Sequence, residues 1–173
     1  MLYQSYLGLI IQENRKNVQR ERKGYKMRRE TEVLLTEINK SIIKMRGVYA
    51  VWCRERGMSY HELLVWYSLR SFGPCTQKQI CEHYLLPKQT IHNIVTGLRE
   101  KGYVELRQEG TNWREKVIVP TEAGLAYSRS FMEPLEAIET QAVAEMGEED
   151  LQAMTALAMR YGGILEKKLA GLE

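Results

Sequence analysis

The chain has 173 residues, enough for one or two small domains with a real core. Hydrophobic residues make up 44% and charged residues 27%, ordinary proportions for a soluble globular protein. The net charge of +3 hides a gradient: residues 1–59 hold 13 Lys/Arg against 6 Asp/Glu, residues 60–120 hold 8 against 6, and residues 121–173 hold 4 against 10. A basic front and an acidic tail suit a protein that turns one surface toward a polyanion and keeps another away from it.

Residues 1–28 form a basic N-terminal extension with an apolar, Tyr-bearing start. Met1–Ile11 has no basic lead and no small-residue cleavage site, and the apolar run breaks at Gln12, short of the ~20 residues a spanning helix needs. Neither a secretory signal nor a membrane span is expected. The extension has three open readings: an added helix at a dimer base, a basic arm on DNA phosphates, or an upstream translational extension ahead of Met27. From Thr31 to Arg56, the residues Leu34, Leu35, Ile38, Ile42, Met45, Tyr49 and Trp52 recur at three- and four-residue steps, which predicts a long helix with one apolar face, ended by Gly57. Ser59 and Glu62 read as a capping box for a helix to Phe72 that is apolar nearly all round and so should be central.

The stretch from Thr76 to Thr121 carries the main functional signal. Thr76 and Gln79 form a second capping box, Ile80, Tyr84 and Leu85 supply an apolar face, and Leu86-Pro87 stops the helix, with Pro87 placed at the first position of the next. In that next helix Ile91, Ile94, Val95 and Leu98 make a buried stripe, while Lys88, Gln89, Thr90, His92, Asn93 and Thr96 take the other faces. Gly102 closes it. Tyr103–Leu106 and Lys116–Val119 are short strand-like runs around Glu109-Gly110-Thr111-Asn112, so helix, turn, helix and a two-stranded wing are expected. A rigidly backed face of amides, hydroxyls and one Lys suits the edges of bases in a major groove, and an Arg at a hairpin tip suits a narrow minor groove. After Thr121, two long helices, to Met146 and from Glu149 to Leu169, carry apolar residues such as Leu125, Ile138, Leu157 and Ile164 in excess of what a small winged unit can cover. Pro134 should kink the first of them and Gly162-Gly163 loosen the second.

The pattern T-Q-K-Q-I, then T-I-H-N-I-V-x-x-L-x-x-K-G-Y-V, then N-W-R-E-K-V-I-V-P-T-E-A-G resembles the MarR (multiple antibiotic resistance regulator) family of bacterial winged-helix regulators, over roughly residues 30–170. The wing is its most specific part, with Asn112, Arg114, Thr121 and Gly124 at the family's positions. Asn112 stands where the family usually has Asp, and Asn93 where Arg is frequent. The resemblance implies a mainly α (α+β) fold: a winged helix-turn-helix DNA-binding domain over residues 59–120, and a helical dimerisation region over residues 29–58 and 121–173. It implies a homodimeric repressor on a pseudo-palindromic double-stranded DNA operator, and the lack of a signal or spanning segment fits a cytoplasmic protein. The candidate DNA contacts are Thr76, Gln77, Lys88, Gln89, Thr90, His92 and Asn93, with Asn112, Trp113 and Arg114 on the wing. It also places an effector cleft near Tyr49, Trp52, Tyr60, Trp66 and Tyr67, whose polar-tipped rings suit a phenolic or other flat ligand.

Alternatives are a redox-sensing regulator using a thiolate of Cys53, Cys75 or Cys81, and a winged helix that binds proteins. The cysteines are odd in number and lack C-x-x-C spacing, so a reducing compartment and no disulfide framework are expected. No hydrolase, zinc-protease, Walker or dinucleotide motif occurs, so no enzymatic activity, cofactor or metal is expected.

Overall fold

The computed structural model describes residues 28–108 and 116–171. The chain divides between Trp52 and Cys53 into two units. The described part of the first belongs to helix α1 (Arg29–Glu55), which opens with Glu30 and Glu32 at its positive end. Along α1, Leu34, Ile38, Ile42 and Met45 stand exposed, as do Val33, Ile43 and Val48. Gly57, at φ +69°, turns the chain out of the helix, as the sequence predicts.

The second unit contains α2 (Tyr60–Phe72), β1 (Cys75–Thr76), α3 (Gln77–Tyr84), α4 (Lys88–Glu100), β2 (Val104–Gln108), β3 (Lys116–Pro120), α5 (Glu122–Met146) and α6 (Glu148–Ala170). α2 is central: Leu63, Leu64, Val65, Trp66 and Leu69 are buried, and the buried Ser68 satisfies its hydroxyl on the Leu64 carbonyl at 2.9 Å. Only half of the capping box expected at its start forms. Ser59 Oγ accepts the Glu62 N–H at 3.0 Å, but the Glu62 carboxylate accepts from Tyr127 Oη at 2.9 Å instead of turning back to Ser59. A partner 65 residues away wins because it is itself partly buried and needs an acceptor.

Thr76 caps α3 with the full reciprocal box, Gln79 N–H to Thr76 Oγ1 at 3.1 Å and Thr76 N–H to Gln79 Oε1 at 2.7 Å. α3 buries Ile80 and Cys81; Leu85 does not join that face. It leaves the helix in the left-handed region at φ 52° with 79% of its surface exposed. Pro87 lies one position earlier than the sequence predicts, as the extended residue ahead of α4 rather than its first turn. The wing also differs from expectation: the sheet has three antiparallel strands in the order β1-β3-β2, with Thr76 opposite Val117 and Leu106 opposite Ile118. β1 is too short to show alternation, yet it ties the start of α3 to the wing.

The core lies under α4 and the sheet. Ile91, Val95, Leu98, Val104 and Ile118 are each at most 2% exposed. Side chains of this size contribute about 1.5–3 kcal/mol apiece when fully buried. Phe131, Met132 and Leu135 of α5 close it against Trp66, whose ring meets Tyr127 and Phe131 edge to face. α5 is a single helix through Pro134, and α6 through Gly162-Gly163. No residue of α6 is buried, and Met154, Leu157, Ile164 and Leu165 are exposed. Among the described residues no helix is long and apolar enough to cross a membrane.

Candidate nucleic-acid interface

α4 has the largest difference between its two sides of any helix in the recognition unit. Ile91, Val95 and Leu98 point into the core, whereas Lys88, Gln89, His92 and Asn93 are exposed. Thr90 and Thr96 are half-buried on the flanks, so Thr90 is turned further inward than its neighbours among the expected contacts. Gln89 and Asn93, one turn apart, are joined by a Gln89 Nε2 to Asn93 Oδ1 hydrogen bond of 2.7 Å.

Gln77, one residue after the Thr76 cap, is brought next to this face by the helix-turn-helix. Gln77, Lys88, Gln89 and His92 line one open crevice of about 370 Å³, together with Lys78 and Cys81. Two lysines and a helix start therefore border the exposed amides of α4, an arrangement suited to a phosphate beside a base edge. Lys78 and Cys81 were not among the residues expected from sequence. The signal for Lys78 was its position one residue beyond Gln77 in the first turn of α3. Asn112, Trp113 and Arg114 lie outside the described residues.

The recognition helix is fixed to α5 at its far end. Gly102, at φ +73°, ends α4, and Tyr103 N–H bonds back to the Leu98 carbonyl at 2.9 Å. Thr121 then bridges: its hydroxyl donates to the Gly102 carbonyl at 2.7 Å and accepts the Gly124 N–H at 3.0 Å, while its own N–H bonds the Tyr103 carbonyl at 3.0 Å. The rings of Tyr103 and Tyr127 stack at 4.3 Å. Burial, reinforced by the Glu62 carboxylate that accepts its proton, pushes the Tyr127 phenol well above the usual tyrosine range.

The five aromatic residues expected at an effector cleft are divided between the two units along the chain. Trp66 is a core residue, 2% exposed, and Tyr67 donates to Glu139 at 2.6 Å. Tyr60 lies beside His61, with ring centroids 6.2 Å apart, and Tyr49 and Trp52 belong to the first unit. Within the second unit a cavity of about 310 Å³ opens between α2 and α5. Trp66, Leu69, Leu125 and Met132 line it along with Arg70 and Glu136, which pair with each other. The Trp66 indole N–H is buried with no hydrogen-bond partner.

Cys53, Cys75 and Cys81 are free and buried, and burial pushes each thiol above its ordinary pKa. At Cys81 the nearby Lys88 charge opposes this but does not reverse it. Buried, protonated thiols are poor nucleophiles, which weighs against a thiolate sensor. Among the described residues no group of three or more His, Cys, Asp or Glu is placed to hold a metal ion.

A helix-turn-helix followed by an antiparallel hairpin, with its second helix exposing amides and other polar groups, defines a winged helix-turn-helix of the kind used by transcriptional regulators. The MarR family model matches residues 56–114. An uncharacterised HTH-type transcriptional regulator of Bacillus subtilis (strain 168), YwoH, is 33% identical over 102 residues, covering 58% of this chain and 73% of that protein. The fold is shared with NMB1585, a MarR family regulator from Neisseria meningitidis, at a TM-score of 0.73 and 24% identity, covering 81% of this chain and 99% of the other. It is also shared with reduced AbfR bound to DNA, at 0.61 and 20% identity, covering 80% and 99%. The chain belongs to the MarR family of transcriptional regulators.

Proposed function

We propose that two copies of this chain pair and set their α4 helices into successive major grooves of a roughly palindromic duplex, about one helical turn apart, to repress transcription. The observation that carries the reading is the two-sided α4: an apolar back sunk in the core and an exposed front of Lys88, Gln89, His92 and Asn93. Thr76, Gln77 and Lys78 serve the neighbouring phosphates, and Arg114, with Asn112 and Trp113, serves the minor groove. Residues 59–120 act as the DNA-binding domain. Residues 29–58 and 121–173 act as the dimerisation region, because α1 and α6 carry exposed Leu, Ile and Met side chains that a lone chain leaves in water.

An effector enters the cavity between α2 and α5. Its apolar side, formed by Trp66, Leu69, Leu125 and Met132, suits a flat ring. Such a ligand releases DNA only if it favours a helix spacing that the operator does not.

The test is sedimentation velocity of the purified chain, combined with fluorescence anisotropy on duplexes selected from a random pool, with and without added phenolic compounds. A dimer with sequence-dependent affinity and a steep negative dependence on salt is expected. A monomer, or equal affinity for every duplex, refutes the proposal.

A further inference from the structure

The bond between Gln89 and Asn93 changes what α4 can read. A side-chain amide has an acceptor end and a donor end. With the Gln89 nitrogen committed to Asn93 Oδ1, the outward ends are Gln89 Oε1, an acceptor, and Asn93 Nδ2, a donor. Turning both amides over exchanges the two ends and leaves the inventory unchanged, one acceptor and one donor. In the major groove adenine presents the complement side by side, the N6 amine as donor and N7 as acceptor, whereas guanine presents two acceptors and favours Arg or Lys.

The pair is also ready before DNA arrives. Both residues are exposed on a helix whose opposite face, Ile91 and Val95, is wholly buried, so their backbone is fixed. Their mutual bond holds two flexible side chains in one arrangement, so less rotamer freedom is lost on binding. The charged groups around the crevice that Gln89 lines are Lys88 of the same helix and Lys78 of α3, with the His92 ring beside them; they serve phosphates and leave the amides to the base.

We infer that Gln89 and Asn93 act as a single reading unit for one adenine in each half-site, neither residue specifying it alone. This rests on α4 being the helix that enters the major groove.

The experiment selects bound duplexes from a randomised pool with the full chain and with its Gln89→Ala, Asn93→Ala and double variants. It then measures the selected site carrying 7-deazaadenine, which lacks the N7 acceptor, or purine, which lacks the N6 amine. The expected result is one adenine per half-site whose preference falls roughly ten- to hundredfold in either single variant, at the same position. The double variant should lose little more than either single one, since a shared bond is lost only once. Each base analogue should weaken the native chain about tenfold and leave the variants nearly unaffected. Single variants that relax different positions, effects that multiply, or a guanine at the shared position overturn the inference while leaving the major-groove reading intact. A native chain that binds no duplex overturns both. Unfolding midpoints of the three variants, expected to match the native chain, separate lost reading from lost folding.

Discussion

Replacing Gly124 by alanine tests how tightly the recognition unit is joined to α5. A Cβ on Gly124 would stand 1.8 Å from the Tyr103 carbonyl oxygen and 2.7 Å from its carbon, where real Cβ contacts essentially never fall below 3.0 Å. The obstacle is backbone, so no rotamer change relieves it; α5 or the start of β2 must move by more than 1 Å. That motion strains the Thr121 N–H bond to the same carbonyl and the Thr121 hydroxyl bond to Gly102. Two weakened hydrogen bonds at about 1 kcal/mol each and an overpacking cost of about 1–3 kcal/mol give a loss of roughly 3–5 kcal/mol. For a chain of this length that lowers Tm by roughly 6–20 °C. Urea unfolding followed by tryptophan fluorescence, at one fixed protein concentration because the proposed pairing would shift the midpoint, measures it directly. A Gly124→Ala midpoint within about 0.5 kcal/mol of the native chain would refute the close-approach argument.

Gly97→Ala is the matched contrast: a Cβ there meets nothing within 4 Å, so removing a mid-helix glycine should stabilise by about 0.5–1 kcal/mol in the same urea series. Leu85→Asn should stabilise by up to about 1 kcal/mol, since the left-handed backbone disfavours Leu and its exposed side chain forfeits no burial; a thermal melt that drops argues that Leu85 packs on something in solution. Tyr127→Phe keeps the stack on Tyr103 but deletes the bond to Glu62, and a loss of about 1–2 kcal/mol is expected by chemical denaturation. A disulfide-exchange probe at neutral pH should find all three cysteines slow in the folded chain and fast after denaturation, because burial keeps the thiols protonated. A single fast thiol at Cys81 would restore the oxidant-sensing alternative.

What could be read from sequence was whatever depends on neighbours along the chain. The Ile91, Val95 and Leu98 stripe, the Thr76 box and the Gly102 stop are local patterns, and each is present in the structure. What failed depends on distant partners. Glu62 abandons its cap for Tyr127, and β1 exists only because β3 pairs with it. Leu85 looked like a face residue because Leu is a poor candidate for a left-handed turn, and only the chain reversal into Pro87 places it there. The Thr-x-x-Gly pattern at Thr121 and Gly124 was visible as a family trait, but its cause, a carbonyl from Tyr103, was not. The Gln89 to Asn93 bond needed no distant partner; the i, i+4 spacing of two amides was legible and went unused.

The Thr121 bridge makes α5 a lever with its fulcrum at the exit of α4. A helix of 25 residues is about 37 Å long, so a tilt of about 5° carries the end near Met146 through about 3 Å while the end at Thr121 hardly moves. Read in reverse, a displacement of that size imposed at the remote tip reaches the recognition helix as a small change of angle, and the bonded hinge of Gly102, Tyr103 and Thr121 leaves little slack to absorb it. The angle between α4 and α5 is thus coupled to the position of the α5 tip near Met146.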